Sequence, residues 1–189
     1  MKKISNFLPL IVLLALITLS GLAVYNSSTK QNIGKPELSS DLGFIEEKYR
    51  VKLREFSLVD LYDDNKNFSL KDLQNDENRY SLVNFFASWC TTCLAEHNVL
   101  MRLKNEKSIN FYGVAWHDYS KNAIDYLKTN GNPYHKTALD AKGLFTKILN
   151  INAIPETLLF DSNGVLVLRF QRNLDEAALS QILEFANKK

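Results

Sequence analysis

The chain has 189 residues, 46% of them hydrophobic, and a net charge of +2. That is enough apolar material for one packed domain plus a segment at one end. Lysines and acids are interleaved with no basic stripe or arginine-rich arm, which argues against nucleic acid as a partner.

At the N-terminus, Lys2 and Lys3 precede FLPLIVLLALITLSGLAVY, Phe7 to Tyr25, and nothing between Ile4 and Thr29 is charged. Nineteen helical residues reach about 28 Å, close to the hydrocarbon thickness of a bilayer. The run has no polar face of the kind a long core helix keeps. Residues 1–25 therefore read as a transmembrane anchor. A cleaved signal peptide is the alternative: Gly21 to Ala23 supplies small residues for cleavage, but the apolar run exceeds the usual signal core. No cysteine follows the run, so a lipid-attachment site is excluded. Lys2 and Lys3 on one side and Lys30 and Lys35 on the other leave the orientation open. Residues 26–42, polar with Ser, Gly and Pro, read as a tether, and residues 43–189 as the folded domain.

Within the domain, Arg54 to Leu73 predicts a small β-hairpin in front of the main sheet. YSLVNFFA, Tyr80 to Ala87, reads as a buried strand. Thr91 to Asn105 reads as a helix, with Leu94, Val99, Leu100 and Leu103 at three- and four-residue spacing. INFYGVAW, Ile109 to Trp116, is a second buried strand. A helix over Asn122 to Thr129 stops at NGNPY, and another is expected over Ala141 to Leu149. ETLLF and VLVLRF flank the turn DSNG, Asp161 to Gly164, as an antiparallel hairpin. The last helix is expected to start near Asn173, with Glu176 three residues on as a capping partner, and to bury Leu179, Ile182, Leu183 and Ala186. Strand, helix, strand, helix, strand, strand, helix predicts an α/β domain with a central mixed β-sheet flanked by helices.

Cys90 and Cys93 are the only cysteines, and they fall where a buried strand meets the start of a helix. A helix N-terminus stabilises a thiolate and lowers the thiol pKa, and the thiolate is the species that attacks a disulfide. Cys90 is thus the candidate nucleophile. Cys93, one turn in, is placed to resolve a mixed disulfide. Three other readings compete. A structural bridge across two residues constrains little of the unfolded chain. Structural zinc needs four ligands, and only His97, His117 and His135 are available to complete the set. Copper(I) suits two thiolates with a distant histidine and is the stronger metal rival.

WCTTC, Trp89 to Cys93, followed by IPET, Ile154 to Thr157, resembles a thioredoxin-like fold. The ordered blocks ASWCTTCLAEH (Ala87 to His97), YGVAWHD (Tyr112 to Asp118), GNPY (Gly131 to Tyr134) and PET (Pro155 to Thr157), together with the anchor, are similar to the membrane-anchored DsbE (CcmG) thiol:disulfide interchange proteins of cytochrome c maturation. The resemblance implies a thiol:disulfide oxidoreductase with Cys90 and Cys93 catalytic, no cofactor beyond their redox-active disulfide, and no metal. It implies that Pro155 is a cis-proline facing the pair, with the substrate chain lying beside it as an added strand. Trp89 is expected to pack over the redox site. Glu96 and Glu156 are expected near the pair, where a carboxylate raises a thiol pKa or exchanges a proton.

The implied partners are apocytochrome c or another cytochrome-maturation thiol protein, and a membrane electron donor that re-reduces the pair. The implied location is the bacterial inner membrane, single-pass, with the domain in the periplasm. Thr91, Ala153 and His117 depart from the usual proline, glycine and lysine, which bears on redox potential and substrate preference. Two other functions stay in contention. One is a broader periplasmic disulfide reductase of the same fold. The other is a copper(I)-delivery module for an oxidase, against which the two-residue cysteine spacing argues. His97 reads as structural or surface, Trp116 as packing and His135 as a surface residue.

Overall fold

The computed structural model describes residues 45, 47, 50–74 and 79–187. The expected anchor and tether lie outside them. Among the described residues no helix is long and apolar enough to cross a membrane.

The strands are β1 (Ser57–Asp60), β2 (Asn67–Ser69), β3 (Tyr80–Phe86), β4 (Ile109–Trp116), β5 (Lys136–Asp140), β6 (Glu156–Phe160) and β7 (Leu166–Phe170). The helices are α1 (Leu70–Leu73), α2 (Thr91–Leu103), α3 (Ser120–Asn130), α4 (Leu144–Ile148) and α5 (Glu176–Asn187). One seven-stranded sheet runs in the order β2-β1-β5-β4-β3-β6-β7. The β3–β4 and β4–β5 pairs are parallel; β3–β6, β6–β7, β1–β2 and β1–β5 are antiparallel. The front hairpin is therefore part of the central sheet, joined through Val59↔Leu139 and Asp60↔Ala138.

β3 and β4 are apolar along most of their length because both faces of the sheet are covered. Leu82, Phe86, Phe111 and Leu159 share one core with Leu100 of α2, Leu127 of α3 and Ile182 of α5. Val83, Phe85, Tyr112, Val114 and Leu158 share the other with Phe56, Phe68 and Phe145. Gly113 permits a close approach on the first face: a Cβ there would lie 2.5 Å from Cδ2 of Tyr134. The ring of Tyr134 thus packs against β4, and its hydroxyl reaches Asn84 of β3.

The structure corrects four sequence expectations. β5 was missing from the expected order; KTALD is too short to show a period, and its extended form comes from pairing with β4 through Tyr112↔Lys136 to Trp116↔Asp140. The helix expected from Ala141 starts at Leu144, because Gly143 takes φ 65°. The cap of α5 is Asp175, whose carboxylate accepts from Ala178 N–H at 2.8 Å, while Asn173 donates to the Thr92 carbonyl instead. Leu94 does not join the buried face of α2; it is 49% exposed.

Candidate active site

The site is built where β3 runs out. After Phe86 the chain turns through Ala87 to Trp89, held by a Cys90 N–H to Ala87 carbonyl bond of 3.1 Å. Ser88 donates from its backbone N–H (2.6 Å) and hydroxyl (2.9 Å) to the buried carboxylate of Asp118, just beyond the end of β4. Trp89 donates its indole N–H to the His117 carbonyl at 3.1 Å. Two anchors on the β4 side thereby fix the turn that presents Cys90.

Cys90 is the N-cap of α2, and its Sγ accepts from Cys93 N–H at 3.1 Å. A sulfur in that position meets the unpaired N–H end and the positive pole of the helix. Thr92 Oγ1 lies 3.3 Å from the same sulfur. Cys90 and Cys93 are joined as a disulfide with Cα atoms 5.3 Å apart; they are 6% and 2% exposed. The Ile154–Pro155 peptide bond is cis, and the Ile154 carbonyl lies 4.0 Å from Cys90 Sγ. A chain lying along this loop therefore passes beside the sulfur.

Glu96 lies one turn beyond Cys93 on α2 and is buried. Its Oε1 accepts from Asn84 Nδ2 (2.9 Å) and its Oε2 from Leu174 N–H (2.7 Å). The same Asn84 nitrogen donates to Thr157 Oγ1 (2.9 Å), and the Asn84 oxygen accepts from the Tyr134 hydroxyl (2.7 Å). Burial pushes the Glu96 carboxyl up to about 7, against the lowering effect of the Leu174 and Asn84 hydrogen bonds. The tyrosine is buried beside it, and burial followed by the Glu96 charge raises its pKa well above the ordinary value. Two donors thus hold the carboxylate, and one of them, Asn84, is itself fixed by Tyr134 and Thr157.

Of the expected residues, the structure brings Cys90, Cys93, Pro155 and Glu96 to one end of α2. Trp89 stands at the surface beside them, 57% exposed, its ring centroid 6.3 Å from that of Trp116. Glu156 goes elsewhere. Successive strand residues face opposite sides; Thr157 points to Asn84, and Glu156 turns to the other face. There its carboxylate meets Arg169 Nε at 2.6 Å. Burial raises its pKa and Arg169 opposes the rise. The histidines are engaged apart from the sulfurs: His97 with the Asn130 carbonyl, His117 with the Ala141 carbonyl, His135 with Phe111 N–H and the Lys104 carbonyl.

Asn84, Tyr134 and Asp118 were not among the residues expected from the sequence. A signal for the first was present. An amide in the middle of an apolar strand must find partners once buried, so Asn84 marks a polar network behind the cysteines.

The Redoxin family model matches residues 49–183. Thiol:disulfide interchange protein DsbE of Haemophilus influenzae is 37% identical over 103 residues, covering 54% of this chain and 56% of its own. Thiol:disulfide interchange protein CycY of Rhizobium leguminosarum bv. viciae is 35% identical over 88 residues, 47% of each chain. The chain thus spans about half the length of the curated relatives it matches. Among solved structures, a secreted thiol-disulfide isomerase from Corynebacterium glutamicum superposes with a TM-score of 0.67 at 22% identity, covering 77% of this chain and 91% of that one. A DsbF homologue from Corynebacterium diphtheriae gives 0.64 at 24% identity, with 75% and 90% covered. These likenesses establish the thioredoxin-like α/β fold. With the family match across both the cysteine turn and the cis-proline loop, the chain belongs to the Redoxin family, and over about half its length it is similar to the DsbE and CycY proteins.

Proposed function

We propose that this chain is a membrane-anchored thiol:disulfide oxidoreductase that acts as a specific dithiol reductant in cytochrome c biogenesis. The observation that carries the chemistry is Cys90 at the N-cap of α2, with Cys93 N–H on its sulfur and Cys93 within bonding reach. In the reduced protein the Cys90 thiolate attacks a client disulfide. A bond forms between Cys90 Sγ and one client sulfur, the client S–S bond breaks, and the departing client sulfur takes a proton. Cys93 then attacks Cys90 Sγ, the mixed disulfide breaks, and the second client thiol leaves. Two electrons pass from the protein dithiol to the client, and the protein leaves as the Cys90–Cys93 disulfide.

Glu96 supports the second step. Its carboxyl, pushed to about 7 by burial, accepts the Cys93 proton when the pair oxidises and returns it on re-reduction. The client is expected along Ile154–Pro155, whose carbonyl side already faces Cys90.

The cytochrome assignment rests on the similarity of the ordered motif blocks, and the DsbE and CycY relatives are consistent with it. Its expected clients are apocytochrome c or another cytochrome-maturation thiol protein, with a membrane electron donor restoring the dithiol. Phe7 to Tyr25 would anchor the chain in the bacterial inner membrane with the domain in the periplasm, where a disulfide persists between turnovers.

Single-turnover reduction of a disulfide peptide by the full chain tests the chemistry. Cys90→Ser is expected to abolish it, and Cys93→Ser to stop at one mixed disulfide per chain. Normal reduction by the Cys90→Ser protein would overturn the assignment.

A further inference from the structure

A cavity of about 260 Å³ opens beside the redox turn, lined by Trp116, His117, Gly143, Lys147, Asn150 and Asn152 among others. None of these residues takes part in the thiol chemistry. The cavity adjoins the site on two sides. Trp89, next to Cys90, donates its indole N–H to the His117 carbonyl. Asn152 stands two residues before Ile154, whose carbonyl faces Cys90 Sγ.

Two donors beside it, the Trp116 indole N–H and the Lys147 ammonium, have no partner among the described residues. The Trp116 indole N–H is buried and has no hydrogen-bond partner among the described residues. An unpaired buried donor is unfavourable unless something accepts from it. Lys147 is exposed and forms no ion pair among the described residues. The acids around the cavity are already satisfied by the chain itself. Asp140 accepts from Leu144 N–H and from the N–H and hydroxyl of Thr146. Asp118 accepts from Ser88 and Tyr119, and Glu156 is paired with Arg169. Arg169, besides this ion pair, donates to the Leu149 and Asn150 carbonyls at the edge of the cavity. Gly143 lets the rings of His117 and Trp116 pack close against the backbone at the cavity wall: a Cβ would lie 2.7 Å from His117 Nε2 and 3.2 Å from Trp116 Nε1.

The geometry points to a specificity subsite for a carboxylate side chain of the client polypeptide, received by Lys147 and the Trp116 indole N–H while the client's disulfide lies at Cys90. A carboxylate supplies the acceptor that Trp116 lacks and the opposite charge that Lys147 lacks. The position beside the cis-proline loop makes a segment of the client, a few residues from its disulfide, the occupant. This inference rests on the proposed reductase function.

The test uses the reduced full chain in detergent and a panel of disulfide peptides with one Glu placed from one to five residues either side of the cysteine, each matched to a Gln peptide. At low salt one Glu position is expected to raise kcat/KM by roughly five- to tenfold over its Gln partner. Lys147→Gln should abolish that preference and Lys147→Glu reverse it, with reduction of the Gln peptides unchanged. Gly143→Ala should abolish it by pushing the His117 and Trp116 rings out of place. The chain has two tryptophans, so the Trp116 indole N–H resonance is readily assigned and should shift with the preferred Glu peptide. Equal rates for every Glu and Gln pair would overturn the subsite. A shift with free glutarate but no peptide preference would assign the cavity to small carboxylates and overturn the client reading. Failure to reduce any peptide would instead overturn the reductase function.

Discussion

Replacing Glu96 by Gln isolates the polar network behind the cysteines. The carboxyl of Glu96 is raised from 4.5 to about 7 by burial, so between those values the folded chain holds a proton that the unfolded chain has released. Stability must then fall as pH rises from about 4.5 to about 7, and stay at the lower level above it. The full shift corresponds to about 3 kcal/mol. Glutamine carries no charge, so its chain lacks this slope, but it brings a mismatch. Glu96 accepts from both Asn84 Nδ2 and Leu174 N–H, and Asn84 cannot flip because its oxygen holds the Tyr134 hydroxyl and its nitrogen also serves Thr157. One Gln donor therefore faces another donor, at a cost of about 1–3 kcal/mol. The variant should be less stable than the parent at pH 5 and draw level with it or pass it at pH 8. Denaturant unfolding of the oxidised chain across that range, followed by tryptophan fluorescence, gives the difference directly. A difference constant from pH 5 to pH 8 would refute the raised carboxyl and with it the proton role of Glu96.

Three further perturbations follow from contacts in the structure. Arg169→Met leaves the Glu156 carboxylate buried without its partner; a loss of about 3–5 kcal/mol is expected at pH 7, partly recovered at pH 5 as Glu156, its pKa driven further up, takes a proton. Melting temperatures at the two pH values check the sign. Asp140→Ala removes the carboxylate that accepts from Leu144 and Thr146 N–H at 2.8 and 2.9 Å. The start of α4 should loosen by about 1–2 kcal/mol, read as faster hydrogen exchange at those two amides. Gly113→Ala puts a Cβ 2.5 Å from the ring of Tyr134 and should cost about 1–3 kcal/mol by overpacking, measured by denaturant unfolding.

Much of the site was legible because its chemistry is local. Cys90 and Cys93 sit at a strand–helix junction that hydrophobic run lengths alone reveal, and the structure places Cys90 at the helix N-cap. Pro155 was legible through its motif, and the cis bond places it as expected. What stayed hidden depends on long-range contacts. KTALD becomes β5 only because β4 and β1 offer it partners on both sides. Glu156 adjoins Pro155 in sequence, yet strand alternation turns it to Arg169 on the opposite face. The environment of Glu96 is assembled from Asn84, Tyr134, Thr157 and Leu174, which lie on four separate segments. Asn173 looked like a helix cap until Asp175, nearer the helix, took that role and Thr92 offered its carbonyl instead.

The central claim is that Cys90 forms the bond to the client and Cys93 releases it. Its most direct test is trapping: full-length Cys93→Ser chain expressed in its native membranes, thiols quenched with acid, and the species disulfide-linked to Cys90 identified. The account predicts mixed disulfides with apocytochromes c or their dedicated thiol partners, absent when Cys90 is also replaced. An empty trap in cells that are making cytochrome c, or an undiminished set of adducts without Cys90, would contradict it.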